Sequence, residues 1–338
     1  MKALRTLLLL VLLLSGALAA AAWWWLDHPL ALASPAVELS IEPGTPPRNI
    51  ANAWVQAGVL TQPALLYQWF RWSGQARRIR AGSYALAPGA TPRSLLAKLV
   101  QGDEAFERVR LIEGWTFRQV RAALAAAPQL KQHAAALDDA ALMAAIGQPG
   151  VAPEGRFFPD TYVYSRGVSD LAVLKRAAQA QRQQLGAVWA TRAPDAAVRN
   201  ADQALVLASI IEKETGLATD RGRIAGVFSN RLRIGMPLQT DPSVIYGLGD
   251  RFDGNLRKRD LQADTPFNTY TRSGLPPTPI AMPGLASLQA AVQPEATKAL
   301  YFVARGDGSS VFSDTLAAHN QAVNQYQRQR RSTAATSP

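Results

Sequence analysis

The sequence predicts an α+β chain in three pieces: a single N-terminal transmembrane helix, a small α+β module, and a larger mixed α/β domain. Three observations predict it. An apolar run opens the chain, a strand–turn–helix pattern then occurs twice between residues 38 and 102, and Ala-rich helical stretches beyond that alternate with Gly/Pro-punctuated loops. The 338 residues leave room for about two domains of ~150 residues. A hydrophobic content of 48% against 18% charged residues excludes a disordered chain.

Lys2 and Arg5 precede an apolar stretch from Thr6 to Leu26 that ends in Trp23-Trp24-Trp25. Roughly 20 apolar residues span a bilayer core, and Trp suits the interface. Residues 1–5 are therefore expected in the cytoplasm, 6–26 in the membrane, and the rest outside. Ala17-Leu18-Ala19 also fits a signal-peptide cleavage site. Apolarity that continues past it favours the uncleaved anchor. Both readings export the chain.

Residues 27–37 are Pro/Ala-rich and read as a linker. Val37–Ile41 alternates as a strand, Glu42–Thr45 turns, Arg48–Ala57 has a helical apolar period stopped near Gly58, and a second helix covers 62–72. The theme recurs: Gly82–Leu86 is strand-like, Ala87–Ala90 turns, and Thr91 caps a helix that opens on Pro92 and runs through Leu99. A strand is expected at Val109–Ile112, with Glu113–Thr116 leading into a helix. From 116 to 200 the chain reads as helical, apart from the aromatic, Pro-stiffened loop 153–162. Arg328–Pro338 reads as a frayed tail.

Composition narrows the chemistry. There is no cysteine and only His28, His133 and His319, far apart in sequence. Thiol chemistry is excluded, a zinc site is disfavoured, and acid–base work falls to carboxylates. No metal or cofactor is expected. The net charge of +11 fits a polyanionic partner or simply a basic surface. No RNP, helix-turn-helix or zinc-finger pattern points to nucleic acid.

One carboxylate stands out. Asp202–Thr215 reads as a helix stopped by Gly216, with Leu207, Ile210, Ile211 and Glu214 on one face. Burial and the helix C-terminus should both raise the Glu214 pKa, as a glycosidic general acid requires. The plainer alternative is a helix-end Glu paired with Arg221 or Arg223. Downstream, amides, hydroxyls and tyrosines sit in segments read as Gly/Pro-held loops (228–247 and 266–280), a set suited to a sugar polymer.

Ala208–Thr215 (ASIIEKET), Asn230-Arg231-Leu232, Leu238–Pro242 (LQTDP), Asn268-Thr269-Tyr270 with Gly274–Pro277 (GLPP), and Glu154–Tyr162 (EGRFFPDTY) resemble, in order and spacing, the endolytic murein transglycosylase (YceG-like) family. The resemblance covers roughly residues 1–325. Ser243, Phe267, Thr278 and Met282 depart from the residues commoner there.

The resemblance implies a single-span protein of the bacterial inner membrane with its catalytic domain in the periplasm. The division it implies is 38–102 as a LysM-like module and 103–327 as a YceG-like catalytic domain, which leaves 328–338, read from its composition, as a flexible tail. It implies cleavage of the MurNAc–GlcNAc β-1,4 bond within nascent glycan strands, leaving 1,6-anhydroMurNAc ends. Glycan strands, the inner membrane and wall synthases are the implied partners.

The family's catalytic Glu corresponds to Glu214, in agreement with the helix-face argument. Asn230, Gln239, Thr240, Asp241 and Asn268 are candidates for substrate binding or for orienting Glu214, and Tyr246 and Tyr270 are candidates for stacking on sugar. Two alternatives stay open from the residues: a muramidase using Glu214 and Asp241, and an anchored, non-catalytic peptidoglycan-binding scaffold.

Overall fold

The computed structural model describes residues 2–103 and 106–328. The expected tail therefore lies, beyond Arg328, outside the described residues, as does Met1. Mixed α+β secondary structure follows a long N-terminal helix α1 (Lys2–Asp27). Residues Thr6–Asp27 of α1 are long and apolar enough to cross a membrane, and none of that stretch is buried in the protein. Contacts divide the chain into two compact units.

The first unit takes in residues 1–108, 128–131 and 163–168. It thus reaches past Gly102 and recruits two later segments. Here β1 (Ala31–Leu32) pairs antiparallel with β3 (Val59–Leu60). The stretch read as a linker therefore carries a short strand. β2 (Val37–Ile41) pairs antiparallel with β4 (Gly82–Leu86), in register Leu39 to Tyr84. Between them lie α2 (Pro47–Ala57) and α3 (Pro63–Trp72), and α4 (Pro92–Gln101) follows.

Each element has a local cause. Gly58 ends α2 at φ +121°, a conformation that disfavours residues with a Cβ. The Thr91 hydroxyl accepts from Ser94 N–H and the Ser94 hydroxyl from Thr91 N–H, a reciprocal cap. Trp54, Leu66, Phe70, Tyr84, Leu95 and Leu99 fill the core.

Next come β5 (Phe106–Arg110), α5 (Phe117–Ala125), α6 (Asp139–Ala145) and β6 (Thr161–Ser165), and β5 pairs with β6. The strand expected at 109–112 thus begins and ends earlier, and β6 interrupts a stretch read as helix and loop. Tyr162 and Tyr164 of β6 are buried and alternate with exposed Thr161 and Val163, a period of two inside Ala-rich surroundings.

The second unit comprises 109–127, 132–162 and 169–338. After α5 and α6 it contains α7 (Asp170–Ala190), α8 (Ala201–Glu214), α9 (Ala218–Arg233), α10 (Asp241–Leu248), α11 (Lys258–Gln262) and α12 (Leu285–Val292). It closes with the hairpin β7 (Tyr301–Ala304)–β8 (Ser310–Ser313) and α13 (Leu316–Val323). α8 is its axis. The Asn200 side chain caps it at Gln203 N–H, 2.8 Å away.

Ala204 through Ile211 of α8 are all buried, so α8 is a central helix, apolar on every side, and not one with a single apolar stripe. Its end also differs from expectation. Thr215 takes an extended conformation (φ −147°) and its hydroxyl accepts from Leu217 N–H at 2.9 Å. Gly216 does not supply a left-handed stop. Residues 228–233 and 241–248, read as loops, are helical, with Pro242 in the first turn of α10 where a missing N–H costs nothing.

Candidate active site

Glu214 is the last residue of α8. The buried core beneath it fixes the helix, while the side chain itself is half-buried at a cleft of about 580 Å³. Thr240, the N-cap residue of α10, donates its hydroxyl to Glu214 Oε1. Burial pushes the Glu214 carboxyl up to about 7, helped by the Asp241 charge and opposed by the Thr240 hydrogen bond and the Arg231 charge. Arg221 and Arg223 are not its partners. Arg223 instead stacks over the Phe312 ring, 4.1 Å from its centroid.

The segment that delivers Thr240 is held from three directions. α9 ends on Gly235 at φ +70°, the left-handed residue that closes many helices. Arg231, buried near that end, donates Nε to Leu300 O at 2.7 Å and Nη1 to Leu238 O at 2.7 Å. Gln239 adopts φ +51°, costly for a residue with a Cβ and tolerated only where the surroundings over-determine it. Its N–H donates to Thr269 O, and the next N–H, of Thr240, donates to Thr269 Oγ1, both at 3.0 Å. Ser243 shares a 2.9 Å hydrogen bond with that same Thr269 hydroxyl.

The sequence candidates fall into three groups. Gln239, Asp241 and Tyr270 line the Glu214 cleft, and Thr240 reaches Glu214 directly. The Tyr270 hydroxyl donates to Asp241 Oδ1 at 2.5 Å. Asn268, 1% exposed, gives its amide to the carbonyls of Leu261 and Ala263 and accepts from Tyr270 N–H. These bonds brace the loop, and Asn268 does not line the Glu214 cleft. Asn230 likewise ties Thr297 O and Ala299 O, at 2.8 and 3.1 Å.

Tyr246 lies in a different cleft. Its ring meets Phe267 edge-on at 4.9 Å, and its hydroxyl donates to Glu154 Oε2 at 3.1 Å.

Four residues around the Glu214 site were not singled out from sequence. Arg231 and Thr269 sat inside motifs already noticed, as neighbours of the chosen polar residues. Tyr301 and His319, stacked at 5.2 Å, come to the Glu214 cleft from a hairpin and a helix that no motif marked.

A half-buried carboxyl that titrates near neutrality, with a hydroxyl on one oxygen and an open cleft before it, can give up a proton and take one back. Polar groups on three neighbouring segments can hold a hydroxylated ligand across it.

The protein belongs to the YceG-like family, which it matches over residues 39–325. The endolytic murein transglycosylase of Bacillus subtilis is 32% identical over 307 residues, 86% of this chain and 84% of that protein. That of Streptococcus pneumoniae is 30% identical over 175 residues, half of this chain and 31% of the relative. The crystal structure of a YceG-like protein from Listeria monocytogenes superposes with a TM-score of 0.51 at 27% identity, covering 85% of this chain and 98% of that one.

Proposed function

We propose that the protein is a membrane-anchored lytic transglycosylase that cuts the MurNAc–GlcNAc β-1,4 bond inside nascent glycan strands and leaves 1,6-anhydroMurNAc ends. The observation that carries this reading is the Glu214 carboxyl, held near pH 7 at the wall of an open cleft. The protonated Glu214 delivers its proton to the bridging oxygen as the bond from that oxygen to C1 of MurNAc breaks. The resulting carboxylate then takes the proton of the C6 hydroxyl as that oxygen bonds to C1. Proton count and charge balance without water, so one carboxyl serves both steps.

A muramidase would need a second carboxylate to activate water. The nearest candidate, Asp241, already accepts the Tyr270 hydroxyl. That engagement favours the lytic reading and leaves Asp241 to tune Glu214. Gln239 and Tyr270 are the proposed substrate-side groups, and Thr240 is proposed to orient Glu214. α1 is the proposed single membrane span, with residues 1–5 cytoplasmic and the catalytic domain periplasmic. The strand–helix–helix–strand unit of 38–102 supports a LysM-like glycan-binding role, and wall synthases are the proposed protein partners. Mass spectrometry of the digestion products tests the reaction. Lytic ends are lighter by one water than hydrolytic ends, and hydrolytic masses alone would sink it.

A further inference from the structure

A second cleft of about 920 Å³ opens in the same unit. Glu154, only 6% exposed, lies in its wall and accepts hydrogen bonds from Phe117 N–H (3.0 Å to Oε1) and the Tyr246 hydroxyl. Among the described residues no cation pairs with it. Burial holds it up to about 7. A buried carboxyl without a counter-charge costs stability, and such groups gather where ligands bind.

Around it stand Tyr246 and Phe252, with Pro153, and three cations, Arg118, Arg121 and Lys213. Arg121 is engaged by Asp139, and among the described residues Lys213 donates only to the Gly114 carbonyl. Arg118 pairs with Asp250, but their side chains are 69% and 86% exposed. A pair so exposed is worth about 0–1 kcal/mol and yields to a competing anion.

The position matters as much as the lining. Lys213 and Pro242 wall this cleft, while their chain neighbours Glu214 and Asp241 wall the catalytic one. The two clefts therefore flank one junction, where the end of α8 meets the start of α10. A polymer cut internally must continue on both sides of the broken bond.

We propose that the Glu154 cleft is a second glycan-binding site that holds the strand beyond the scissile bond. Tyr246 and Phe252 receive sugar faces, Glu154 hydrogen-bonds a hydroxyl or N-acetyl group, and Arg118 and Lys213 receive the carboxylates of the attached peptides. The choice of glycan as ligand rests on the transglycosylase reading.

The test uses the full-length chain with Glu214→Gln, which is expected to bind without cutting, and uncross-linked, peptide-bearing glycan strands. Phe252→Ala and Arg118→Ala, both at partly or fully exposed positions, are added singly. Each should weaken strand binding several-fold. In the otherwise wild-type enzyme each should raise KM more than it lowers kcat. Unchanged binding in both variants overturns the proposal. If the cleft variants weaken binding while the wild-type protein cuts no strand, the second site stands and the transglycosylase reading falls.

Discussion

The Thr240 hydroxyl donates to Glu214 Oε1, so the N-cap of α10 touches the last residue of α8. Thr240 is 1% exposed and its own N–H is taken by Thr269. The hydroxyl is thus fixed before any substrate arrives, and it holds the carboxyl in one orientation.

Two substitutions beside Glu214 should move its titration in opposite directions. The Thr240 hydrogen bond favours the anion and the Asp241 charge disfavours it. Thr240→Val should shift the alkaline limb of kcat/KM upward, and Asp241→Asn should shift it downward. Thr240→Val should also lower kcat by about tenfold or more, since a hydrogen bond to a charged group is worth about 1.5–3 kcal/mol. Rate profiles against pH for both variants check this, and shifts of the same sign would contradict it.

Stability should fall as pH rises toward neutrality. Glu154 and Glu214 are raised from 4.5 to about 7 in the fold. Below about 4.5 both carboxyls are protonated, folded or unfolded, and their contribution is fully present. Between there and about 7 the native state binds more protons than the unfolded one, so stability is lost through that window. Melting temperature measured across it should decline. Replacing both residues by Gln should flatten the decline.

Gly226 in α9 should not tolerate Ala. Ala in a helix normally gains up to about 1 kcal/mol over Gly. Here a Cβ would stand 2.6 Å from the backbone oxygen of Glu295 and 2.7 Å from Thr297 Cγ2. Backbone cannot swing aside, and overpacking costs about 1–3 kcal/mol. Gly226→Ala should therefore melt lower than wild type. An unchanged melting temperature would contradict the packing at this position.

The apolar helix should remain on the mature protein. Asp27 at its end pairs with Arg93 of α4 at 2.7 Å, and the Arg93 guanidinium lies over the rings of Trp23 and Trp69. These contacts tie the helix end to the folded module. Intact mass of membrane-extracted protein should equal that of the full chain. A mature N-terminus at Ala20 would instead show a cleaved signal.

Sequence alone placed Glu214 at the end of a buried helix and, through the family resemblance, proposed it as the acid. The single apolar stripe used to argue its burial is replaced by a helix buried on every side. Sequence also reached the paired strands 37–41 and 82–86, whose alternation and turns are local signals. What stayed hidden depends on how loops fold back and on contacts far apart in sequence. The polar choices at 230 and 268 were reasonable as amide types, yet their partners lie on the 297–299 and 260–263 segments. Only the folded chain shows that their amides are already used. Glu154 was passed over because its partners, Phe117 and Tyr246, lie 37 and 92 residues away. Residues 241–248 looked like loop because Pro242 and Gly247 mask a short helix whose N-terminal turn accepts proline.

Release of anhydro-ended fragments by Glu214→Gln and Glu212→Gln, with thermal melting as the folding control, tests the central claim most directly. Glu212 lies about 160° around the helix from Glu214 and accepts Gly284 N–H at 3.0 Å, a bond that Gln can keep. Gln at 214 preserves size but carries no transferable proton. General acid–base transfer is worth about 10²–10⁴-fold, and here one group serves both steps. The account predicts loss near the top of that range or beyond it for Glu214→Gln, with the fold intact, and substantial activity for Glu212→Gln. An active Glu214→Gln, or equal loss in both variants, would contradict it.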